Sequence, residues 1–321
     1  MIELADIEAA AERLSDIVVR TPLIQSAELN EIAGGKVWLK PECLQTIGSF
    51  KIRGAYNLMS QLPADRASKG VVAWSSGNHA QGVAAAGSLL GIRTAIVMPS
   101  DAPKAKIDRT RRFGGEVIFY DRYTGDREAI ARELARERGA EIVPSYDDDR
   151  IVAGQGTVGL EIVEQCKALG IEPDQVLINC GGGGLSAGCA IAIKALAPTA
   201  AVHTVEPEHF DDTARSLRDG VRRSNSKTAR SICDALLAET PGELPFPILQ
   251  QLAGPGLVVS DDEVKAAMRF AFENLKLVVE PGGAAALAAV LTGKADCGDK
   301  ATVAILTGGN VDPDLFSKIL G

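Results

Sequence analysis

Four consecutive glycines, Gly181 to Gly184, separate an apolar run, Val176-Leu177-Ile178-Asn179, from an alanine-rich stretch that reads as a helix to Leu196. Each glycine costs backbone entropy, so an ordinary turn seldom uses four in a row. They make sense where a strand feeds a helix and an anion must come close. Side chains would block a phosphate there, whereas bare N–H groups and the helix dipole attract one. The run is not a P-loop, because no Gly-Lys-Ser/Thr follows, and it fits the dinucleotide fingerprint poorly, because Gly188 completes only a longer spacing. A strand that passes through such a turn into a helix points to layered α/β architecture.

The rest of the chain repeats that alternation in two series. In the first, a helical pattern from Ile7 to Leu14 precedes a short strand, Val37-Trp38-Leu39-Lys40. Val71 to Trp74 reads as a strand running through Ser75-Ser76-Gly77-Asn78-His79 into a small-residue helix, Ala80 to Leu90. Thr94 to Met98 is a strand closed by Pro99, Lys104 to Phe113 a polar helix, Glu116 to Tyr120 a strand, and Asp126 to Arg138 a charged helix. In the second series, Gly156 to Leu169 reads as a helix, followed by the strand and helix around the glycines and a strand from Val202 to Val205. Ser260 and Glu263 make a capping box before a helix from Val264 to Leu275. A late strand, Thr302 to Leu306, ends in Thr307-Gly308-Gly309-Asn310. The break between the series falls near Pro144 to Ile151. Residues 209–255 read as irregular, with Pro241, Pro245, Pro247 and Pro255 as breakers.

A chain of 321 residues suggests about two domains. Its 46% hydrophobic content suffices for a core without covalent staples. The net charge of -8 disfavours nucleic acid or an anionic membrane as partner, yet leaves room for an anionic cofactor held by backbone dipoles. Six cysteines without a C-x-x-C pair read as reduced thiols of a cytoplasmic protein. The stretch from Met1 to Leu14 is acidic and amphipathic and lacks an apolar signal run, and no segment approaches membrane-spanning length. The three histidines lack zinc-like spacing.

Lys51 sits in Gly48-Ser49-Phe50-Lys51-Ile52-Arg53-Gly54-Ala55, beside an aromatic and small residues and with no adjacent acid. An amine in such surroundings sheds its proton more easily and becomes a nucleophile toward an aldehyde. Ser75 to His79 could bind a small carboxylate through N–H groups and hydroxyls, or could be an ordinary helix cap by Ser76 or Asn78. His79 reads as a hydrogen-bonding structural residue. Thr307 lies where open α/β sheets place ligands, and its hydroxyl could donate to a ring nitrogen. Glu280-Pro281-Gly282-Gly283 resembles a helix entry, with Glu280 a dipole-pairing carboxylate. Glu206 and Asp212 flank Phe210, giving two carboxylates and a carbonyl in a hard-cation pattern, although acidic loops are usually just solvated.

Taken in order, Lys51, Ser75–His79, Gly181–Gly184 and Thr307–Asn310 resemble the pyridoxal-phosphate enzymes of fold type II, the tryptophan synthase β-like fold, over essentially the whole chain. Within them the lysine motif is most similar to the serine/threonine dehydratase and serine racemase branch. The resemblance implies an α/β fold of two domains, each with a parallel-type sheet flanked by helices: a large one of residues 1–50 and 149–321, and a small one of residues 51–148. It implies that Lys51 joins the cofactor aldehyde with Phe50 beside the ring, that Asn78 bonds the ring oxygen, and that Gly181, Gly182, Gly183, Gly184 and Leu185 hold the phosphate. Glu280 lies near the ring and Thr307 faces its nitrogen. Ser75, Ser76, Gly77, Asn78 and His79 would bind the substrate carboxylate. Ser76 aligns with the second catalytic serine of racemases. Glu206, Phe210 and Asp212 match their divalent-cation site (Mg, Mn or Ca), and Arg127 falls near an arginine that meets a dicarboxylate ligand, its other reading being a solvated helix residue.

Two departures bear on pocket shape. Gly282 stands where the family often has Ser or Thr, and Ala235 where racemases often have glycine. The feedback-regulated biosynthetic threonine dehydratases, with their C-terminal regulatory domain, are not expected. The resemblance implies a cytoplasmic homodimer that converts a β-hydroxy amino acid (serine, threonine or 3-hydroxyaspartate) to a keto acid and ammonia. A serine or aspartate-type racemase on the same site is the nearest alternative, and a non-catalytic amino-acid- or nucleotide-binding protein the alternative of another class.

Overall fold

The computed structural model of the chain describes residues 2–102, 104–121 and 124–321. Among them run ten strands: β1 (Ile24–Gln25), β2 (Lys36–Pro41), β3 (Val71–Trp74), β4 (Thr94–Pro99), β5 (Glu116–Tyr120), β6 (Glu141–Ile142), β7 (Gln175–Asn179), β8 (Ala201–Pro207), β9 (Leu257–Val259) and β10 (Ala301–Leu306). They form a six-stranded sheet in the order β1-β2-β10-β7-β8-β9 and a four-stranded sheet in the order β5-β4-β3-β6. Every pairing is parallel except β1 with β2. The α/β class with helix-flanked parallel-type sheets is therefore what the chain adopts. No helix among the described residues is long and apolar enough to cross a membrane.

The strand orders fix where a ligand can sit. In the small sheet the chain moves from β3 outward through β4 to β5, then returns to the other side of β3 as β6. In the large sheet β8 lies on one side of β7 and β10 on the other. Connections diverge from β3 and from β7, leaving a crevice at each strand's carboxyl end. Ser75–His79 follow β3, and Gly181–Gly184 follow β7.

Three buried helices connect the sheets. The Lys51–Met59 helix packs on Asp149–Ala168, which packs on Gly184–Leu196. Their approach depends on absent side chains: a Cβ on Gly154 would stand 2.7 Å from the Gly54 Cα.

Four charges are sealed into the same contact. Arg53, buried completely, donates through Nε to Glu42 at 2.8 Å, and through Nη1 to Glu161 at 2.7 Å and to Thr157 at 3.0 Å. Lys40 donates to the other Glu161 oxygen at 2.6 Å and to the Thr21 carbonyl at 2.6 Å. Burial works against the charges of Arg53, Glu42 and Lys40. At Arg53 the opposing carboxylates outweigh it and hold the guanidinium above its ordinary value, and at Glu42 the guanidinium outweighs it and holds the carboxyl below its ordinary range. At Lys40 burial wins and lowers the ammonium despite Glu161.

Several elements differ from the sequence reading. The helix expected from Gly156 begins at Asp149, with Asp148 accepting the Arg150 N–H as its cap. Gly154 and Gly156, inside this helix, are where neighbouring helices press in. The stretch 209–255 is not wholly irregular. It holds helices Asp212–Asp219 and Pro245–Leu252. Pro245 occupies the first helical turn, where a missing N–H costs nothing, so a residue read as a breaker is a starter. The Ser260–Glu263 capping box is present, but its α-helix stops at Phe270 and continues as a π-turn, Ala271–Leu275.

Arg53→Ala strands Glu42 in the interior without its ion-pair partner, leaving it only the neutral Thr21 hydroxyl and Gln45 amide. The expected outcome is a loss of about 3–5 kcal/mol, read as a lower urea midpoint, with partial recovery when Glu42→Gln is added. An unchanged midpoint would mean that the buried cluster contributes nothing to stability.

Candidate active site

The carboxyl ends of β3, β6, β7 and β10 open into one cavity of about 640 Å³. Lys51 begins its helix at the inner end of it. The preceding loop is tied to the end of β10 by the Ser49–Gly308 bridge and by the Phe50 N–H, which donates to the Thr307 carbonyl at 3.3 Å. Lys51 Nζ lies 5.1 Å from the Phe50 ring centre and donates to the Ser145 carbonyl at 3.1 Å. Burial lowers its pKa to about 8 against the counter-pull of Glu280, so a useful fraction of neutral amine exists near neutral pH.

Across the cavity, Ser75 to His79 enter the Asn78–Leu90 helix. Its N-cap is Gly77, with no side-chain cap, so neither Ser76 nor Asn78 plays the ordinary capping role and the first-turn N–H groups remain open to a ligand. Ser75 Oγ accepts the Gly77 N–H at 3.1 Å. His79 Nε2 donates to the Val143 carbonyl at 2.8 Å, and burial, with Lys51 nearby, drops its pKa to about 3. It is a neutral tie between the two strand ends, unsuited to take up protons at neutral pH. Asn78 is held at both ends: its Nδ2 donates to Glu280 at 2.5 Å, and its Oδ1 accepts from Asn310 Nδ2 at 2.7 Å. Burial, then Asp234, raises Glu280 to about 7.

Gly181 to Gly184 and Leu185 form the adjoining wall. The Gly184–Leu196 helix has Gly183 as an uncapped N-cap at φ +92°. A Cβ on Gly182 would lie 2.3 Å from the Tyr146 ring, so that position admits no side chain. Ser186, in the first turn, has a buried hydroxyl without a hydrogen-bond partner among the described residues. Open N–H groups, a glycine cradle and an unspent hydroxyl fit a phosphate group, and Lys51 in the same cavity fits an aldehyde. Thr307, at the end of β10, accepts through Oγ1 from Asn179 Nδ2 at 3.0 Å.

Arg127 opens its helix at the rim, with Asp126 rather than Arg127 as the N-cap. Among the described residues its side chain makes no hydrogen bond or ion pair. Arg132, further along the same helix, is taken up by Glu128 and lies over the Trp74 ring at 5.8 Å.

Glu206, Phe210 and Asp212 are not walls of this cavity. Glu206 is buried near the end of β8, its two oxygens accepting the Thr213 and Ala214 N–H groups at 2.9 and 2.7 Å. Asp212 Oδ1 accepts from Asn225 at 2.5 Å, while Oδ2 is buried without a partner among the described residues. Burial raises both carboxyls, Glu206 further through Asp212. Among the described residues no group of three or more His, Cys, Asp or Glu side chains gathers in metal-holding geometry.

The sequence reading missed Tyr146, Asn179 and Asp234, all of them cavity walls. Asn179 closes β7 and Tyr146 follows β6, so the rule that ligands sit at strand carboxyl ends could have flagged both.

The family described as "Pyridoxal-phosphate dependent enzyme" matches residues 14–308. The L-threo-3-hydroxyaspartate ammonia-lyase of Pseudomonas sp is 42% identical over 98% of this chain and 97% of its own length. A threonine deaminase from T.th. superposes with a TM-score of 0.90 at 43% identity, covering 97% of this chain and 99% of that one. Maize serine racemase gives a TM-score of 0.93 at 35% identity, covering 99% and 96%. With a family match along nearly its whole length, and with lysine, glycine cradle and strand ends converging on one cavity, the chain belongs to the pyridoxal-phosphate-dependent enzymes of fold type II.

Proposed function

We propose that the chain is a hydroxyamino-acid ammonia-lyase for which 3-hydroxyaspartate is the best-suited substrate, with serine and threonine also accepted. The observation that carries the choice is Arg127, a guanidinium unpaired among the described residues, at the rim of the Lys51 cavity, and a natural partner for a second substrate carboxylate. Similarity to a 3-hydroxyaspartate ammonia-lyase supports it.

In this reading Gly181 to Leu185 hold the cofactor phosphate, with Ser186 completing the cradle. Phe50 lies beside the ring, Asn78 meets its oxygen, Glu280 steadies Asn78, and Thr307 faces its nitrogen. Bound pyridoxal phosphate supplies the electron sink that lets a Cα–H bond break. Ser75 to His79 grip the α-carboxylate and so hold that bond toward Lys51. Lys51 Nζ, in the neutral fraction that its lowered pKa provides, accepts the Cα proton. The β-hydroxyl leaves together with a proton equivalent to the one taken from Cα, so that one water is lost, and a water then hydrolyses the remaining imine to keto acid and ammonia. Ser76, whose hydroxyl has no partner among the described residues, stands ready as a second acid–base group, which favours racemisation as the second reading.

The reading also includes a divalent cation (Mg, Mn or Ca) held by Glu206, Asp212 and the Phe210 carbonyl, outside the chemistry. The buried, unpartnered Asp212 oxygen beside a second buried carboxylate supports it. The chain would divide into a large domain, 1–50 with 149–321, and a small one, 51–148, in keeping with the strand membership of the two sheets. A cytoplasmic homodimer completes it. Six free cysteines accord with the compartment, and light scattering at the mass of two chains would support the dimer.

Four outcomes are expected. Arg127→Ala lowers kcat/KM for 3-hydroxyaspartate about 10–100-fold, with serine turnover within about twofold; equal losses on both would sink the second-carboxylate role. In the same panel keto acid and ammonia should dominate, and chiral analysis showing D-serine instead would select the racemase. Attachment of cofactor to apoprotein should speed up as pH rises through about 8, because only the neutral Lys51 amine attacks, and level off above roughly pH 9. An ordinary lysine would still be gaining at about pH 10. Chelation should lower the melting temperature, with magnesium or calcium restoring it; a melting temperature indifferent to both would remove the cation from the reading.

A further inference from the structure

The role given above to Thr307 requires that its hydroxyl donate toward the ring nitrogen rather than accept from it. A free hydroxyl can do either, so something must choose. The choice lies behind Thr307, in the carboxamide of Asn179 at the end of β7.

That carboxamide can face only one way. Its Oδ1 accepts the Ala286 N–H at 2.6 Å. Its Nδ2 faces the Gly283 carbonyl at 2.8 Å, Thr307 Oγ1 at 3.0 Å and the Ile305 carbonyl at 3.3 Å. Turning the amide over would set a donor against the Ala286 N–H and an acceptor against two carbonyls, so the nitrogen position is dictated by its neighbours. An amide nitrogen cannot accept. The contact with Thr307 therefore has one sense: Asn179 donates, and Thr307 spends a lone pair. Its own proton must go elsewhere. Among the described residues nothing stands to accept it, and Thr307 is itself a wall of the cavity.

We propose that Asn179 is a positioning residue that sets the polarity of the Thr307 hydroxyl, committing its proton to the cavity so that the cofactor's pyridine nitrogen is met by a donor and kept unprotonated. Nothing in the motif reading pointed to Asn179. It adds a layer behind the hydroxyl: the Asn179 amide, pinned between the Pro281–Gly283 turn, the start of the Ala285–Leu291 helix and the end of β10, biases the electronic state of a group it does not touch. A pyridine nitrogen without a proton is a weaker electron sink than a pyridinium. The arrangement leaves the reaction to depend more on loss of the β-hydroxyl than on a long-lived carbanion, in keeping with elimination over racemisation.

The inference rests on the reading of Thr307 as the ring-nitrogen partner, and the test separates the two. Apoprotein is loaded with pyridoxal phosphate carrying ¹⁵N in the ring. The wild-type resonance should fall in the range of a neutral pyridine. Asn179→Asp, nearly isosteric but an acceptor where the wild type donates, should draw the Thr307 proton back and move the resonance toward the protonated range. Independently, cofactor affinity is measured for Asn179→Ala, Thr307→Val and the pair. Each single change should weaken binding up to about tenfold, and the pair should be no weaker than Thr307→Val alone, because both remove the same hydrogen bond. An unchanged resonance in Asn179→Asp, or losses that add in the double variant, overturns the proposal. If Thr307→Val alone alters neither resonance nor affinity, Thr307 does not face the nitrogen, and the parent reading fails with it.

Discussion

Two cations and two carboxylates shut away from water determine where the Lys51 amine can stand. Lys40 lies at the end of β2, Glu42 follows that strand, Arg53 lies one residue past Ile52 in the Lys51 helix, and Glu161 comes from the long Asp149–Ala168 helix. Each charge alone would be prohibitive in the interior. Together they are neutral in sum, and every carboxylate oxygen has a charged donor. Such a cluster tolerates little sliding, because a displaced member leaves its partner uncompensated. It therefore fixes the Lys51 helix against the large sheet in one register. Lys51 is then presented to the cavity without a bond of its own to the cluster.

The second constraint is topological. Each sheet diverges at one strand, and both divergences discharge into the same space. Two helix N-termini, following β3 and β7, face it without side-chain caps. Uncapped helix starts are costly in a folded protein unless water or a ligand satisfies them. Here both helix starts face one cavity, which also holds the Lys51 amine of lowered pKa. The low dielectric that lowers Lys51 also raises Glu280 and keeps His79 neutral, so one environment sorts three titratable groups into different roles.

Much of this was legible in the chain. The strand-to-glycine-to-helix pattern is local chemistry, and Lys51, Ser75–His79, Gly181–Leu185 and Thr307 could be picked out by neighbours in sequence. The helix at Pro245 could not, because a proline reads alike as breaker or starter until the direction of the following backbone is known. The long helix starts earlier than the sequence suggested, at Asp149, and the close approach of Gly54 and Gly188 makes Gly154 and Gly156 necessary within it. Tyr146 is an ordinary residue in sequence and becomes a wall only when the small sheet sets it against Gly182.

By itself the sequence determined the class of fold, the family and the order of the lysine and glycine segments, since each rests on residues within a few positions of one another. Only the tertiary structure decided which partners they have. Arg53 meets Glu161 across 108 positions, Asn179 reaches Thr307 across 128, and Arg127 at the rim is left without a partner among the described residues. Hydrogen-bond direction, burial and the pKa shifts that follow from it depend on what lies opposite a side chain, and no local pattern encodes that.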